Sequence, residues 1–442
     1  MTTEIKGPVW TKETDGYTDG YQEERLGFQR LTPHQPERII GATTPQDVQS
    51  AVRYALKHGL KVAVRASGHG HTRPLDGGLL ITTGRLESVT VDPENHTAWI
   101  QAGATWKHVI EATAPHGLAP LSGSFPGVGA IPYTLGGGLG LMARRFGFAA
   151  DHVRRIEVVT PDGELRNAED DPDLFWALRG GGGNFGIVTR LEIDLFPVTT
   201  LYGGSLYYDL DQTPGVLDTW REWTRTVPDE VTSAVAVLVF PDIPPVPEPL
   251  RGKHVAQLQL CVLGAGQELV QPLRGIGQPL LDTVGEMPYT ESGRIFAEPE
   301  RPDAYRSHNV LLNTLDPEAL ATIPELAGPS AKAMCVIGIR HLGGALAQPP
   351  AVPNAVSHRD AAYSLTVLSP GKRDVTALHR RILEPWTDHV IGRFLNFSFA
   401  PLDQEETRAA FDTPTYERLT KLRTHFDPHQ LLQPNHPVTG QR

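Results

Sequence analysis

The sequence predicts an α+β protein of more than one domain, and three observations carry that prediction. Its 442 residues exceed what a single hydrophobic core usually serves. Between about residues 37 and 200, short apolar runs alternate with amphipathic segments and tight turns, whereas from 201 to 392 the strand-like runs lengthen and helical stretches separate them. Hydrophobic residues at 40% and charged residues at 21% match an ordinary folded protein rather than a disordered or fibrous chain.

Residues 1–36 are polar, with Gly16, Gly20, Pro33 and Pro36, and read as an irregular N-terminal arm. A helix then starts at Thr44, a good N-cap before Pro45. Val48, Ala51, Val52, Ala55 and Leu56 share its apolar face, and Gly59 stands where a left-handed C-terminal residue ends such a helix. Lys61–Arg65, Leu79–Thr82, Ser88–Asp92 and Thr97–Gln101 read as short strands, and Trp106–Ala114 as a helix. Ile156–Thr160 runs into the turn Pro161-Asp162-Gly163, Asp171 caps a short helix over Pro172–Leu178, and Gly186–Phe196 is a long strand closed by Pro197. Beyond 200, strands are expected at Gly203–Asp209, Ala234–Phe240, His254–Val262, Met334–Ile339 and Tyr363–Leu368, with helices at Pro214–Thr226 and Val375–Val390. Pro241–Leu250 is too proline-dense for regular structure. A sheet with helices over one face suits this block, and a last helix is expected near Thr415–Thr424.

A net charge of −11 argues against nucleic acid or an anionic membrane as the main partner. Cys261 and Cys335 alone make neither a disulfide framework nor a zinc ribbon, and no metal site is expected. The opening Met1-Thr2-Thr3-Glu4-Ile5-Lys6 lacks a basic and then apolar leader, and no run is long enough to span a bilayer, so a cytoplasmic location is expected. The oligomeric state is not legible.

The most informative stretch is Val64-Arg65-Ala66-Ser67-Gly68-His69-Gly70-His71, a histidine among small residues after an apolar strand. A second glycine-rich segment follows at Tyr133-Thr134-Leu135-Gly136-Gly137-Gly138-Leu139-Gly140. Small residues let the main chain approach a ligand and turn successive N–H groups toward an anion, so a diphosphate cofactor suits them and His69 is placed to act on it. Gly138-x-Gly140-x-x-Ala143 and Gly181-x-Gly183-x-x-Gly186 both match a dinucleotide fingerprint literally, but neither has a strand before it and a helix after it, which the Rossmann site requires. His69 and His71 lack further ligands for a metal, and no Gly-x-Ser-x-Gly elbow supports acyl transfer. Gly180–Gly183 reads equally as a plain turn or a cofactor loop.

Taken together, Arg65-Ala66-Ser67-Gly68-His69-Gly70, the segment 133–140, Arg145-Phe146-Gly147-Phe148-Ala149-Ala150-Asp151 and Asp173–Gly186 resemble the FAD-linked oxidases of the berberine-bridge-enzyme-like group, within the PCMH-type or vanillyl-alcohol-oxidase flavoprotein superfamily. Phe394-Leu395-Asn396-Phe397 and Asp427-Pro428…Asn435 resemble that family's closing signature, so the likeness covers about 35–200 and 390–438. It implies a PCMH-type FAD-binding domain of two α+β subdomains (37–200), a substrate domain with a seven-stranded antiparallel sheet covered by helices (201–392), and a C-terminal segment (393–442) that returns to the FAD domain. It also implies that His69 is bonded to the flavin 8α carbon. Arg65, Ala66, Ser67, Gly68, Gly70, Val128, Gly129, Thr134, Gly136, Gly137, Gly140, Asn396 and Asn435 would contact the cofactor, with Ile187 and Val188 near its adenine.

Two departures from the family pattern shape the expected chemistry. Phe125, in Ser124-Phe125-Pro126-Gly127-Val128-Gly129, stands where many relatives have a cysteine that makes a second flavin bond, so a single covalent link through His69 is expected. Phe397 stands where relatives often carry a tyrosine, so a catalytic base must come from the substrate domain. Tyr363 and His341 are the candidates, with Tyr207 and Tyr208 behind them. The resemblance implies an oxidase of secondary metabolism. A small hydroxylated or amine-bearing natural product or a sugar would give a hydride to FAD, and O2 would regenerate the cofactor with release of H2O2. A dehydrogenase using another acceptor, or a non-redox cyclase using the flavin-containing pocket, are the alternatives.

Overall fold

The computed structural model describes residues 5–440, and the ends of the arm and of the C-terminal segment (1–4, 441–442) lie outside the described residues. Three sheets organise the chain. The first has four strands in the order Val9–Thr11, Arg38–Gly41, Leu79–Thr82, Val62–Arg65; the last three run parallel and the outermost is antiparallel. The helix Pro45–His58 connects two of its parallel strands. Thr44 and Asp47 form its capping box and Gly59 closes it in the left-handed conformation, as the residue pattern predicts.

The second sheet has five antiparallel strands in the order Val89–Asp92, Thr97–Gln101, Ile187–Asp194, Val153–Val159, Leu165–Asn167. Both sheets share one core, in which Ile40, Val52 and Ile81 meet Ile100, Trp106 and Leu191. Phe411, Leu419 and Leu432 from the far end of the chain enter that same core.

The third sheet is antiparallel and has nine strands, two more than the family resemblance implies. Leu281–Asp282 and Gly285–Pro288 are the short additions, both pairing with Thr200–Asp209. From that edge the order continues His254–Val262, Val231–Val239, Val336–His341, Tyr363–Pro370, Tyr305–Leu312 and Val390–Gly392. Helices Val216–Thr224, Pro317–Leu326 and Thr376–Leu383 cover one face, where Val235, Leu258, Ile337, Ile339, Leu365 and Val367 are buried with Trp220. The alternate residues of the same strands face the other way, because side chains in a strand change face at every step.

The arm departs from expectation. It is not irregular: it holds the edge strand Val9–Thr11 and short helices at Lys12–Asp15 and Asp19–Glu24, and it buries Tyr21 and Glu24. Ala130–Leu135 is helical and leads directly into the glycines of 136–140. A helix rather than a buried strand therefore precedes Gly138, which removes the Rossmann reading of that segment.

Candidate functional site: a cavity around His69

A cavity of about 1180 Å³ opens between the three sheets. It exceeds the roughly 300–1,000 Å³ of a pocket for one small ligand, leaving room for a large cofactor and a second molecule. The 66–71 loop forms one wall, Gly136 and Gly180–Gly183 another, and the uncovered face of the nine-stranded sheet a third.

The 66–71 loop is held from two sides. Gly27–Gln29 of the arm runs against it, with Phe28 N–H donating to Ser67 O (3.0 Å) and Gln29 N–H to Gly68 O (3.0 Å). Gly68 has φ +75°, and a Cβ there would stand 2.4 Å from Gly27 Cα, so only glycine allows this approach. From the C-terminal segment, Asn435 Nδ2 donates to Gly70 O (2.8 Å), while its Oδ1 accepts from Thr72 N–H and from the Thr72 hydroxyl (both 2.8 Å). The two ends of the chain thus clasp one loop.

Within the loop, His69 Nδ1 bonds Ser67 Oγ at 2.9 Å, and Gly129 N–H donates to that same oxygen at 3.1 Å. The ring stacks on Phe28 with centroids 3.8 Å apart and meets Phe125 edge-on at 5.4 Å. Its Nε2 is buried with no hydrogen-bond partner among the described residues. Burial lowers the His69 pKa to about 4, so the imidazole is neutral at pH 7. A neutral, oriented histidine with an orphaned nitrogen, set in a wall of small residues, fits a site for a covalently held cofactor.

Arg65 lines the cavity, but its guanidinium is engaged beside it. Nε donates to Glu24 O (3.0 Å), Nη1 to Ala66 O (3.1 Å) and Nη2 to the Glu24 carboxylate (2.9 Å). Thr82 and Arg85 bind the same carboxylate. Burial alone would raise the Glu24 pKa, yet the hydrogen bonds from Arg85 and Thr82 and the nearby charges of Arg65 and Arg85 bring it below the usual value. Arg65 therefore braces the loop to the arm.

Of the other residues expected at the cofactor, Ala66, Ser67, Gly68, Gly70, Val128, Gly136, Ile187, Val188, Asn396 and Asn435 line the cavity. Gly129, Thr134, Gly137 and Gly140 do not; they stand behind the wall. Gly129 holds Ser67, the Thr134 hydroxyl donates to Ala130 O in its own helix, Gly137 packs under Phe394 and Val356, and Gly140 lies against Ser122. Gly136 has a specific requirement, since a Cβ there would fall 2.0 Å from Asn396 Oδ1. Asn396 in turn donates to Tyr133 O (2.9 Å), joining the C-terminal motif to the glycine-rich segment.

Tyr363 and His341, expected as candidate bases, lie outside the cavity. Strand parity explains both: Val336, Gly338 and Arg340 face the cavity, so Ile337, Ile339 and His341 face the helices. His341 bonds Arg144 Nη1 at 3.0 Å, and burial followed by that positive charge lowers its pKa to about 3. Tyr363, its neighbour in the ladder, bonds the Thr224 hydroxyl at 2.7 Å within the helix-side core. Tyr208 is likewise turned away and bonds Leu273 O, whereas Tyr207 does line the cavity. Sequence reasoning missed Arg340, Glu298, Tyr305, Gln257 and Gln259, all cavity-lining. The alternation of the sheet strands was the available signal for Arg340 and the two glutamines. Among the described residues, no cysteine lines the cavity and no cluster of metal-ligating side chains occurs.

Comparison with known proteins agrees with this architecture. Residues 36–169 match the FAD-binding-domain family. An uncharacterised FAD-linked oxidoreductase of Bacillus subtilis is 25% identical over 98% of this chain and 96% of its own. The solved xylooligosaccharide oxidase of Myceliophthora thermophila, in complex with xylobiose, superposes with a TM-score of 0.85 at 23% identity, covering 99% of this chain and 98% of its own. The BBE-like 1 protein of Physcomitrella patens does so with a TM-score of 0.83 at 18% identity, over 99% and 98%. The protein is an FAD-dependent oxidoreductase with the α+β fold of the PCMH-type flavoproteins. Tetrahydroberberine oxidase of Argemone mexicana is similar to part of the chain, 34% identical over 44% of this chain and 38% of its own.

Proposed function

We propose that this protein is an oxidase that holds FAD through one covalent bond to His69 and takes two electrons from a small organic molecule. The observation that carries the reading is the His69 site itself: a neutral, stacked imidazole, fixed through Nδ1 and unpartnered at Nε2. FAD, when bound, supplies the two-electron acceptor. Residues 66–70 and Gly136 let its dinucleotide approach the backbone, and Ile187 and Val188 offer an apolar seat for the adenine. Phe125 at the place of a second attachment supports a monocovalent link. On this reading, 37–200 with 393–442 is the FAD-binding unit and 201–392 the substrate-binding unit.

Substrate oxidation removes a hydride from carbon and a proton from the attached oxygen or nitrogen. Dioxygen then accepts the two electrons and two protons and leaves as hydrogen peroxide. Two carboxylates line the cavity and are available as the proton acceptor. Asp303 is turned onto Ala304 N–H (2.7 Å), whereas Glu298 stands 4.0 Å from the Arg340 guanidinium. Burial raises the Tyr207 phenol above its usual value and that of Tyr305 to about 12, so both stay protonated near neutral pH. Glu298 is accordingly the proposed base. Anaerobic mixing of the holoenzyme with a turned-over substrate tests the reading: bleaching of the flavin absorbance, restored by air with one peroxide per substrate, is expected. Turnover with an unbleached spectrum would instead establish the non-redox alternative. Glu298→Gln should slow the bleaching about 10²–10⁴-fold.

A further inference from the structure

The wall that faces the proposed substrate space is almost uncharged. Ala234, Ala236, Leu238, Val336, Gly338 and Leu368 present methyl groups or bare backbone to it. Gln257 is polar but engaged, since its Nε2 donates to Ser205 Oγ (3.0 Å) and to Tyr207 Oη (3.1 Å). Arg340 is the single charged side chain that the sheet strands send into this wall among the described residues.

Arg340 is weakly compensated. Its Nη2 donates to Ser124 Oγ at 3.1 Å, and its one carboxylate neighbour among the described residues, Glu298, stands 4.0 Å from Nη2 and is itself partly open to solvent. The guanidinium carbon lies 4.4 Å from the Phe296 ring centre and 4.8 Å from that of Phe397. Such packing occupies the flat surfaces and leaves the N–H edge for hydrogen bonding. Among the described residues, Nε and Nη1 have no hydrogen-bond partner. A partly buried guanidinium whose Nε and Nη1 N–H bonds are free, set in this largely apolar wall, is stabilised by a planar oxyanion, because the fork matches a carboxylate and a weakly paired charge gains from one. Ser124 adjoins Phe125, which touches His69, so an anion held on Arg340 lies at the His69 end of the cavity.

Resting on the oxidase reading above, we infer that the substrate is a compact, largely apolar carboxylate whose anion is held by Arg340, and not an oligosaccharide. A sugar chain would need a polar partner for each hydroxyl, and on this largely apolar wall the uncharged polar side chains are few, Tyr207, Gln257, Gln259 and Thr366 among them.

The test uses the holoenzyme with cinnamate, methyl cinnamate and xylobiose as probes, reading perturbation of the flavin absorption spectrum and, independently of any flavin, heat on calorimetric titration. Cinnamate should bind roughly tenfold or more tightly than its methyl ester, a charge-assisted pair contributing about one decade. Arg340→Met should abolish that preference while leaving the ester's affinity within about twofold, and xylobiose should not bind. Arg340→Lys, which keeps the charge and loses the fork, should retain part of the preference and covers the case in which the Met variant fails to fold. Equal affinity for cinnamate and its ester, or equal weakening of both by Arg340→Met, would overturn the inference. A protein purifying without flavin that still discriminates the two probes would refute the oxidase reading and leave the anion site standing.

Discussion

Replacing Asn435 with alanine removes three hydrogen bonds that fix the loop carrying His69. Thr72 N–H loses its acceptor in a residue only 3% exposed, the Thr72 hydroxyl loses the same oxygen, and Gly70 O loses its donor. The stranded N–H accounts for about 1–3 kcal/mol and the other two bonds for about 1 kcal/mol each at most, which together give about 3 kcal/mol. If that loss falls on ordering the loop around FAD, cofactor affinity drops about 100-fold, at 1.4 kcal/mol per decade. A covalent bond would mask the change, so the comparison belongs in a His69→Ala background, where FAD exchanges and its fluorescence reports binding. His69→Ala/Asn435→Ala should then bind FAD about 100-fold more weakly than His69→Ala. Asn435→Asp should also weaken binding, because it sets a carboxylate oxygen against Gly70 O. Unchanged FAD affinity in the double variant would refute the idea that the C-terminal segment clasps this loop.

Further outcomes follow from the same geometry. Gly68→Ala combines a left-handed backbone with a backbone overlap that no rotamer can relieve, so loss of flavin from the purified protein is expected alongside destabilisation beyond the ~1 kcal/mol of the left-handed backbone alone; retention of a full flavin complement would contradict it. Glu24→Gln should destabilise the fold by about 3 kcal/mol in urea, since it leaves Arg65 buried and unpaired. Because folding depresses the Glu24 pKa, its stabilisation is present above the ordinary glutamate value of about 4.3 and is lost as pH falls through the lower folded value. Wild type should therefore lose more stability than Glu24→Gln on acidification below about pH 4.3, and parallel pH profiles would refute this. Tyr363→Phe should cost about 1 kcal/mol through the lost Thr224 bond and leave the rate of flavin reduction unchanged. A slowed reduction would show that the face assignment of this strand is wrong.

Much of the fold was legible because local chemistry decided it. Thr44, Pro45 and Gly59 mark both ends of one helix, Asp171 and Pro172 start another, and the run His254–Val262 is a strand from end to end. The arm was not legible. Gly27-Phe28-Gln29 has no periodicity, and its value lies in bonds to Ser67 and Gly68, some forty residues away in sequence. The 66–71 loop stood out by its small residues and does line the cavity, yet four of the residues expected at a cofactor stand behind the wall, because a motif does not say which of its members faces inward. The base candidates lie outside the cavity for a different reason. Choosing Tyr363 and His341 by their ionisable groups ignored strand alternation, which turns Arg340 into the cavity and the residue after it toward the helices.

The central claim is that His69 carries the flavin. Acid precipitation of the purified protein, followed by tryptic mass spectrometry of the peptide Ala66–Arg85, tests it most directly (Arg73 precedes Pro74 and resists cleavage). A yellow pellet with the flavin mass on His69, and none on a cysteine peptide, is the predicted result. A colourless pellet with all FAD free in the supernatant would contradict it.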